Sequence, residues 1–363
     1  MPYMLTSTAM LASLMLLFIG QNSAAEEIRV LSPAEAIAAM GEVEAATRQN
    51  FDAIETWQGT YQFHDIFGPA RKMTVGPPGD ERPVQQQDDV GTYEFAIDTA
   101  SHCRFWSIDK SKSWLTVRDT KTDTDREIPY GTYRETYIQK PGENISFRPD
   151  NSVPIPSSEK EKLGRSSVRQ VSHRAIATFD PFVLFGDGVY KTWRYMATSQ
   201  IAAARNPDAF KVCEVQKDGQ KRYTIEIQFT GQTPQDIMIV RWELAEEFAY
   251  NPVYHSRRKV LEDREVVTEE TVWRYEQQGG VFIPSYYCET HRNIDGVLSF
   301  QNELKQKAGK TNEKLPDETF AASRLPLEDG DRLAKGTRRS PQVFYQGKFI
   351  DMQQYEQALA ESN

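Results

Sequence analysis

The sequence predicts an α+β, mainly β fold: a curved antiparallel sheet, or unclosed β-barrel, wrapped around an amphipathic helix. Three segments with a two-residue period carry this reading. Trp57, Tyr61 and Phe63 alternate with polar neighbours, as do Tyr93, Phe95 and Ile97, and Tyr223, Ile225, Ile227 and Phe229. Successive strand side chains point to opposite faces, so each segment has one apolar face to bury and one wet face. A helix start precedes them. Ser32 is the N-cap, Pro33 takes the first helical position, and Glu35 completes a capping box. Ile37, Met40, Val43, Thr47, Phe51 and Ile54 then recur every three or four residues, which gives the helix one apolar stripe.

The first 25 residues carry no charged side chain, although 26% of the chain is charged. Ala9 to Ile19 is an unbroken apolar and small-residue run, about half of the ~20 residues needed to span a membrane. Ser23-Ala24-Ala25 follows and then the first charges, Glu26 and Glu27. This is the pattern of a secretory signal peptide cut after Ala25, so the expected location is periplasmic or extracellular. Residues 26–306 read as one half-barrel β domain, and 307–363 as a C-terminal extension with a hairpin and a short helix.

Within that domain, residues 68–91 hold four prolines and four glycines and read as a long loop that can act as a lid. Strands are expected at 102–109, 113–118 and 126–138, followed by a second loop-rich stretch at 141–165. Phe179 to Gly186 reads as a short apolar helical turn, and 189–204 as a second amphipathic helix. From 221 the chain becomes a meander with strands near 221–230, 236–244, 253–262, 265–276, 281–292 and 296–305. Their Gly- and Asp-bearing connectors are hairpin signals. Val343–Tyr345 and Lys348–Ile350 form the last hairpin, before a helix containing Tyr355 and Leu359.

Net charge is −9 and there is no long basic run, which argues against nucleic acid as a partner. Cys103, Cys213 and Cys288 allow one disulfide and one leftover thiol, with three possible pairings. Gly309-Lys310-Thr311 is no phosphate loop, because the required earlier glycine is Leu304. Asp119, Asp123 and Asp125 lack the glycine and the closing Glu of a calcium loop. Cys288 and His291 are three apart and fall on opposite faces of a strand. His64 beside Asp65 reads as a surface histidine. No catalytic residue, metal site or cofactor is expected.

The 18 Phe, 16 Tyr and 6 Trp fit a concave sheet face wider than one helix can fill. An acyl chain of ~14 methylenes buried there yields ~11 kcal/mol gross, enough for a carrier with no catalytic group. The helix, the Trp57-Gln58-Gly59-Thr60-Tyr61 start of the first strand and the long meander together resemble the LolA/LolB-like periplasmic lipoprotein-carrier superfamily. NPVY at 251–254, VWRYEQQGGVFIPSYY at 272–287, NIDGVLSF at 293–300 and NEKLPDETF…LEDGDRL at 312–333 also resemble a large group of uncharacterised secreted bacterial proteins related to that fold. The resemblance implies an unclosed barrel with an apolar cavity for acyl chains, and a lipid or lipidated protein as partner.

On this reading the cavity is lined by Trp57, Tyr61, Phe63, Tyr93, Phe95, Ile97, Tyr223, Ile225 and Ile227, closed by Ile37, Met40 and Phe51 of the helix. An envelope protein-interaction or sensor module of RseB-like type is the alternative. A hydrolase with a site assembled from distant residues is a further one.

Overall fold

The computed structural model describes residues 27–76, 81–119, 122–154, 167–172, 181–188, 193–203, 209–217, 219–230, 237–262, 264–333 and 342–362. The expected signal peptide lies outside these residues. Strand β1 (Glu27–Val30) leads into helix α1 (Pro33–Asp52), then β2 (Thr56–Phe67), β3 (Thr74–Val75), β4 (Arg82–Asp98), β5 (Cys103–Asp119), β6 (Thr124–Pro129), β7 (Tyr133–Lys140), β8 (Glu143–Pro154) and β9 (Ser167–Ser172). A 3-10 segment, Pro181–Gly188, and helix α2 (Trp193–Ala203) precede the meander. Its strands are β10 (Phe210–Lys217), β11 (Gln220–Thr230), β12 (Ile237–Ala245), β13 (Pro252–Val260), β14 (Glu265–Gln278), β15 (Val281–Arg292) and β16 (Leu298–Thr311). The chain ends with β17 (Arg332–Leu333), β18 (Gln342–Tyr345), β19 (Lys348–Asp351) and helix α3 (Met352–Ser362).

The predicted fold class holds: a large, mainly antiparallel sheet that does not close. β10 to β16 pair in chain order, and β1 lies outside β10. β16 then pairs along almost its whole length with β2, from Phe300–Phe67 to Thr311–Trp57. The sheet continues through β4, β5, β7, β8 and β9, with β6 beside β7 on the far half of β5. β9 meets β17 in parallel, and β18 and β19 follow.

Helix α1 starts on the predicted capping box: the Ser32 backbone N–H donates to Glu35 at 2.9 Å, and the Glu35 N–H donates to Ser32 Oγ at 3.4 Å. Its C-terminal end is tied down by Asn50, which mimics a strand partner. Asn50 donates to the Phe282 carbonyl at 3.1 Å and accepts from the Phe282 N–H at 2.8 Å. Asn312, with φ 58°, donates to the Ala53 carbonyl at 2.8 Å and accepts from the Glu55 N–H at 2.9 Å. The end of the helix is thereby fixed to β15 and to the end of β16.

Two expected loops are strands. The second half of 68–91 belongs to β4, in which Gln87 pairs with Phe67 and Asp89 with Asp65. Its sequence looks like a loop because Gln87, Asp88 and Asp89 are polar, yet all three are buried and hydrogen-bonded. A lid spanning 68–91 is therefore not what this segment forms. Residues 143–154 are strand β8, in which Ile145 and Phe147 are buried. The gap expected between 109 and 113 is absent, and β5 runs unbroken through it. There β4 carries a register shift between Val90 and Thr92. Gly91 makes this bend possible: a Cβ would come within 2.0 Å of the Asp109 carbonyl and 2.6 Å of the Phe63 ring.

β4, β5, β7 and β8 are covered on both faces. Ala96, Phe105, Ile138, Ile145 and Phe147 form an outer cluster with Leu315, Phe320, Leu325 and Leu333. The 3-10 turns Asp317–Phe320 and Ala322–Arg324 thus lay residues of the C-terminal extension over the convex side. Cys103, Cys213 and Cys288 are all free, half-buried thiols. No helix among the described residues is long and apolar enough to cross a membrane.

Candidate functional site

The concave face divides into two packed apolar regions. Trp57, Tyr61, Phe63, Phe95 and Ile97 belong to the first, together with Ile54, Trp106, Ile108, Trp273, Tyr275, Val281, Ile283 and Leu304. Phe51 and Tyr93 pack against it half-buried. Met40, Tyr223, Ile225 and Ile227 belong to the second, with Val43, Trp193, Val212, Val240, Trp242 and Leu244, and Ile37 alongside. The twelve residues expected to line one cavity therefore all face inward, but α1 distributes them over two regions. Its first half packs with α2 on β10–β12, while its C-terminal end reaches the first region.

What fills the first region is a segment of the chain itself. Phe182, Leu184 and Phe185 of the 3-10 segment are 4%, 2% and 0% exposed, while Val183 between them is 54% exposed. Phe182 lies 4.8 Å from the Phe51 ring and 5.6 Å from Trp57, and Phe185 lies 5.8 Å from Trp57 and 6.4 Å from Tyr275. Trp273 Nε1 donates to the Leu184 carbonyl at 2.7 Å. This segment is a plug seated against the aromatic side chains that the sequence points to as ligand-binding. The apolar run at 181–185 was legible as a turn, but nothing local shows that it folds back onto strands more than 80 residues away.

At one end the apolar face meets a polar row that sequence reasoning missed. Ser113, Asp89, Asp65, Asn302, Glu289, Thr271 and His255 stand opposite one another on seven neighbouring strands. Cross-strand partners share a face, so the row lies on the same side as Phe63, Leu304, Tyr287 and Trp273, one pleat away. Asp89 accepts from Ser113 Oγ, from Gln87 at 3.1 Å and from Lys110 Nζ at 3.2 Å. Asp65 accepts from Asn302, and Glu289 accepts from Tyr287 at 2.8 Å and bonds His291 at 2.7 Å. Burial, with Asp89 adding repulsion, pushes the Asp65 carboxyl up to about 6. Burial likewise raises the Tyr93 and Tyr287 hydroxyls well above the ordinary range.

His64 points to the opposite face, where it bonds Asp88 rather than its neighbour Asp65, at 2.8 Å. Arg118 holds Asp123 at 2.7 Å and Asp125 at 3.1 Å, which accounts for that acidic turn. The convex side carries a polar cleft of about 330 Å³ lined by Gln58, Thr60, Glu94, Lys310 and Arg324 among others. In it Arg324 is paired with Glu94 at 2.5 Å.

Fold and site together define an open antiparallel sheet wrapped around helices and an inserted apolar plug. No protein-family model matches this chain, and no curated protein matches it. Among solved structures it is distantly similar to a DUF1329 family protein from Desulfovibrio piger, with 11% identity and a TM-score of 0.30, over 80% of this chain and 99% of that one. A porin-like protein from Bacteroides uniformis is similar at 8% identity and a TM-score of 0.18, over 69% of this chain and 97% of the other.

Proposed function

We propose that this chain is an exported, non-catalytic binding protein for acyl chains, taken up on the concave face where the plug now sits. The observation that carries the reading is the plug: three apolar side chains of a five-residue segment fill the aromatic end of the half-barrel, with the Leu184 carbonyl bonded to Trp273 of the sheet. Burying Phe182, Leu184 and Phe185 is worth roughly 5–9 kcal/mol at about 1.5–3 kcal/mol each. An acyl chain of ~14 methylenes offers ~11 kcal/mol before the cost of association. Plug and single chain are therefore close in strength, which suits reversible loading. A ligand with two or three chains displaces the plug decisively.

The test is uptake of a pyrene-labelled acyl probe by wild type and by Phe185→Ala. Weakening the plug raises probe affinity, while the same substitution lowers stability by about 3–5 kcal/mol. No uptake by either protein at any probe concentration removes the acyl-binding reading. Docking onto another envelope protein then becomes the better account, because edge strand β1 exposes Ile28 and Val30 at 60% and 63%.

A further inference from the structure

The plug brings a backbone carbonyl into the concave core, that of Leu184, which accepts from Trp273 Nε1. Two more indoles of that region, Trp57 and Trp106, are 0% and 3% exposed, and their Nε1 donors have no acceptor among the described residues. Orphaned buried donors are rare, because the desolvation of the N–H is not repaid. Trp57 is in direct ring contact with both plug phenylalanines. Two buried hydroxyls of the region are internally satisfied: Tyr61 donates to the Pro284 carbonyl, and Tyr275 to the Pro252 carbonyl at 2.9 Å.

A ligand that displaces the plug must do more than fill space. It uncovers Trp273 Nε1 and replaces the phenylalanines packed on the Trp57 ring, whose own Nε1 is unpartnered among the described residues, so acceptors on the ligand are favoured. Charge narrows the choice. Lys110 and Arg148, two cations each 5.2 Å from the Tyr133 ring centroid, are already paired with Asp89 and Glu135. An ionised carboxylate entering the apolar region would be desolvated with neither cation available to it. Apolar chain plus neutral carbonyl is what the plug itself presents, and it is the chemistry of an acyl ester.

Resting on the acyl-binding reading above, we propose that the concave site selects neutral acyl esters over free fatty acids and hydrocarbons. Trp273 Nε1 passes from the Leu184 carbonyl to an ester carbonyl, and Trp57 Nε1 serves a second ester. The ester belongs either to a glycerolipid or to the ester-linked acyl chains of a lipidated protein.

The test uses the full-length mature protein and pyrene probes of one chain length, as methyl ester, as free acid at pH 8 and as hydrocarbon. A diacylglyceride and a diacylglyceryl-cysteine peptide are competitors that distinguish the two sources. Wild type binds the ester at least about fivefold more tightly than either other probe, the factor set by one net hydrogen bond. In Trp273→Phe the plug and the ester lose the same bond, so ester affinity holds while hydrocarbon affinity rises about fivefold. In Trp57→Phe the diacylglyceride loses about fivefold and the hydrocarbon is unmoved. Circular dichroism and an unchanged hydrocarbon affinity in Trp57→Phe establish that the fold survives. Equal binding of all three probes, with ratios unmoved in both variants, overturns ester selection and leaves acyl binding standing. Absence of binding by every probe sinks both.

Discussion

Asp65 is a carboxyl placed where its charge is unfavourable, and replacing it by Asn should stabilise the protein at neutral pH. Burial is the main cause, repulsion from Asp89 adds to it, and Asn302, His64 and Lys110 only partly compensate. The net effect lifts the group from 3.8 to about 6. Each unit corresponds to 1.36 kcal/mol, so ionising Asp65 in the folded state costs about 3 kcal/mol relative to the unfolded chain. The folded pKa lies above the unfolded one. The folded state therefore holds the proton more tightly, and the associated stability is complete below about pH 4 and lost as pH rises through 6. Asp65→Asn keeps an acceptor for Asn302 but cannot ionise. Urea unfolding of both proteins from pH 3.5 to 8 should show the variant gaining on wild type between pH 4 and 7, by up to about 3 kcal/mol, with a flat difference above. A difference that is constant with pH, or wild type gaining as pH rises, would refute the assignment of burial as the dominant cause.

Three further outcomes follow from particular contacts. Asn50→Ala removes both hydrogen bonds to Phe282 and strands a backbone N–H and carbonyl, which should cost about 1–3 kcal/mol in chemical denaturation. Gly91→Ala forces a methyl group against the Asp109 carbonyl, and a loss of at least about 1–3 kcal/mol should appear as a lower unfolding temperature. Phe320→Ala, on the convex side, should lower stability by about 3–5 kcal/mol without changing acyl-probe affinity, measured side by side on the same preparation.

How far the sequence reaches is clearest at individual elements. The capping box of α1, the boundaries of β15 and the inward alternation of Trp57, Tyr61 and Phe63 were all legible, because each depends on residues within a few positions of one another. The hairpin meander from β11 to β16 was legible for the same reason: its connectors state their own geometry. β4 was half hidden, since Gln87, Asp88 and Asp89 read as loop until their partners Ser113, Lys110 and His64 are known.

Sequence alone therefore determined which faces are apolar and that an antiparallel sheet must cover a helix. Tertiary structure decided what stands on that sheet. The pairing of β16 with β2 brings Asn302 to Asp65 across 237 positions and assembles a polar row from residues that share no local pattern. The same non-local closure puts the 181–185 segment against Trp57 and Trp273, and residues 315–333 against the convex face. Side-chain alternation fixes the two faces of a strand from within the strand itself, whereas register between distant strands and the docking of a short apolar segment depend on contacts whose partners lie far along the chain.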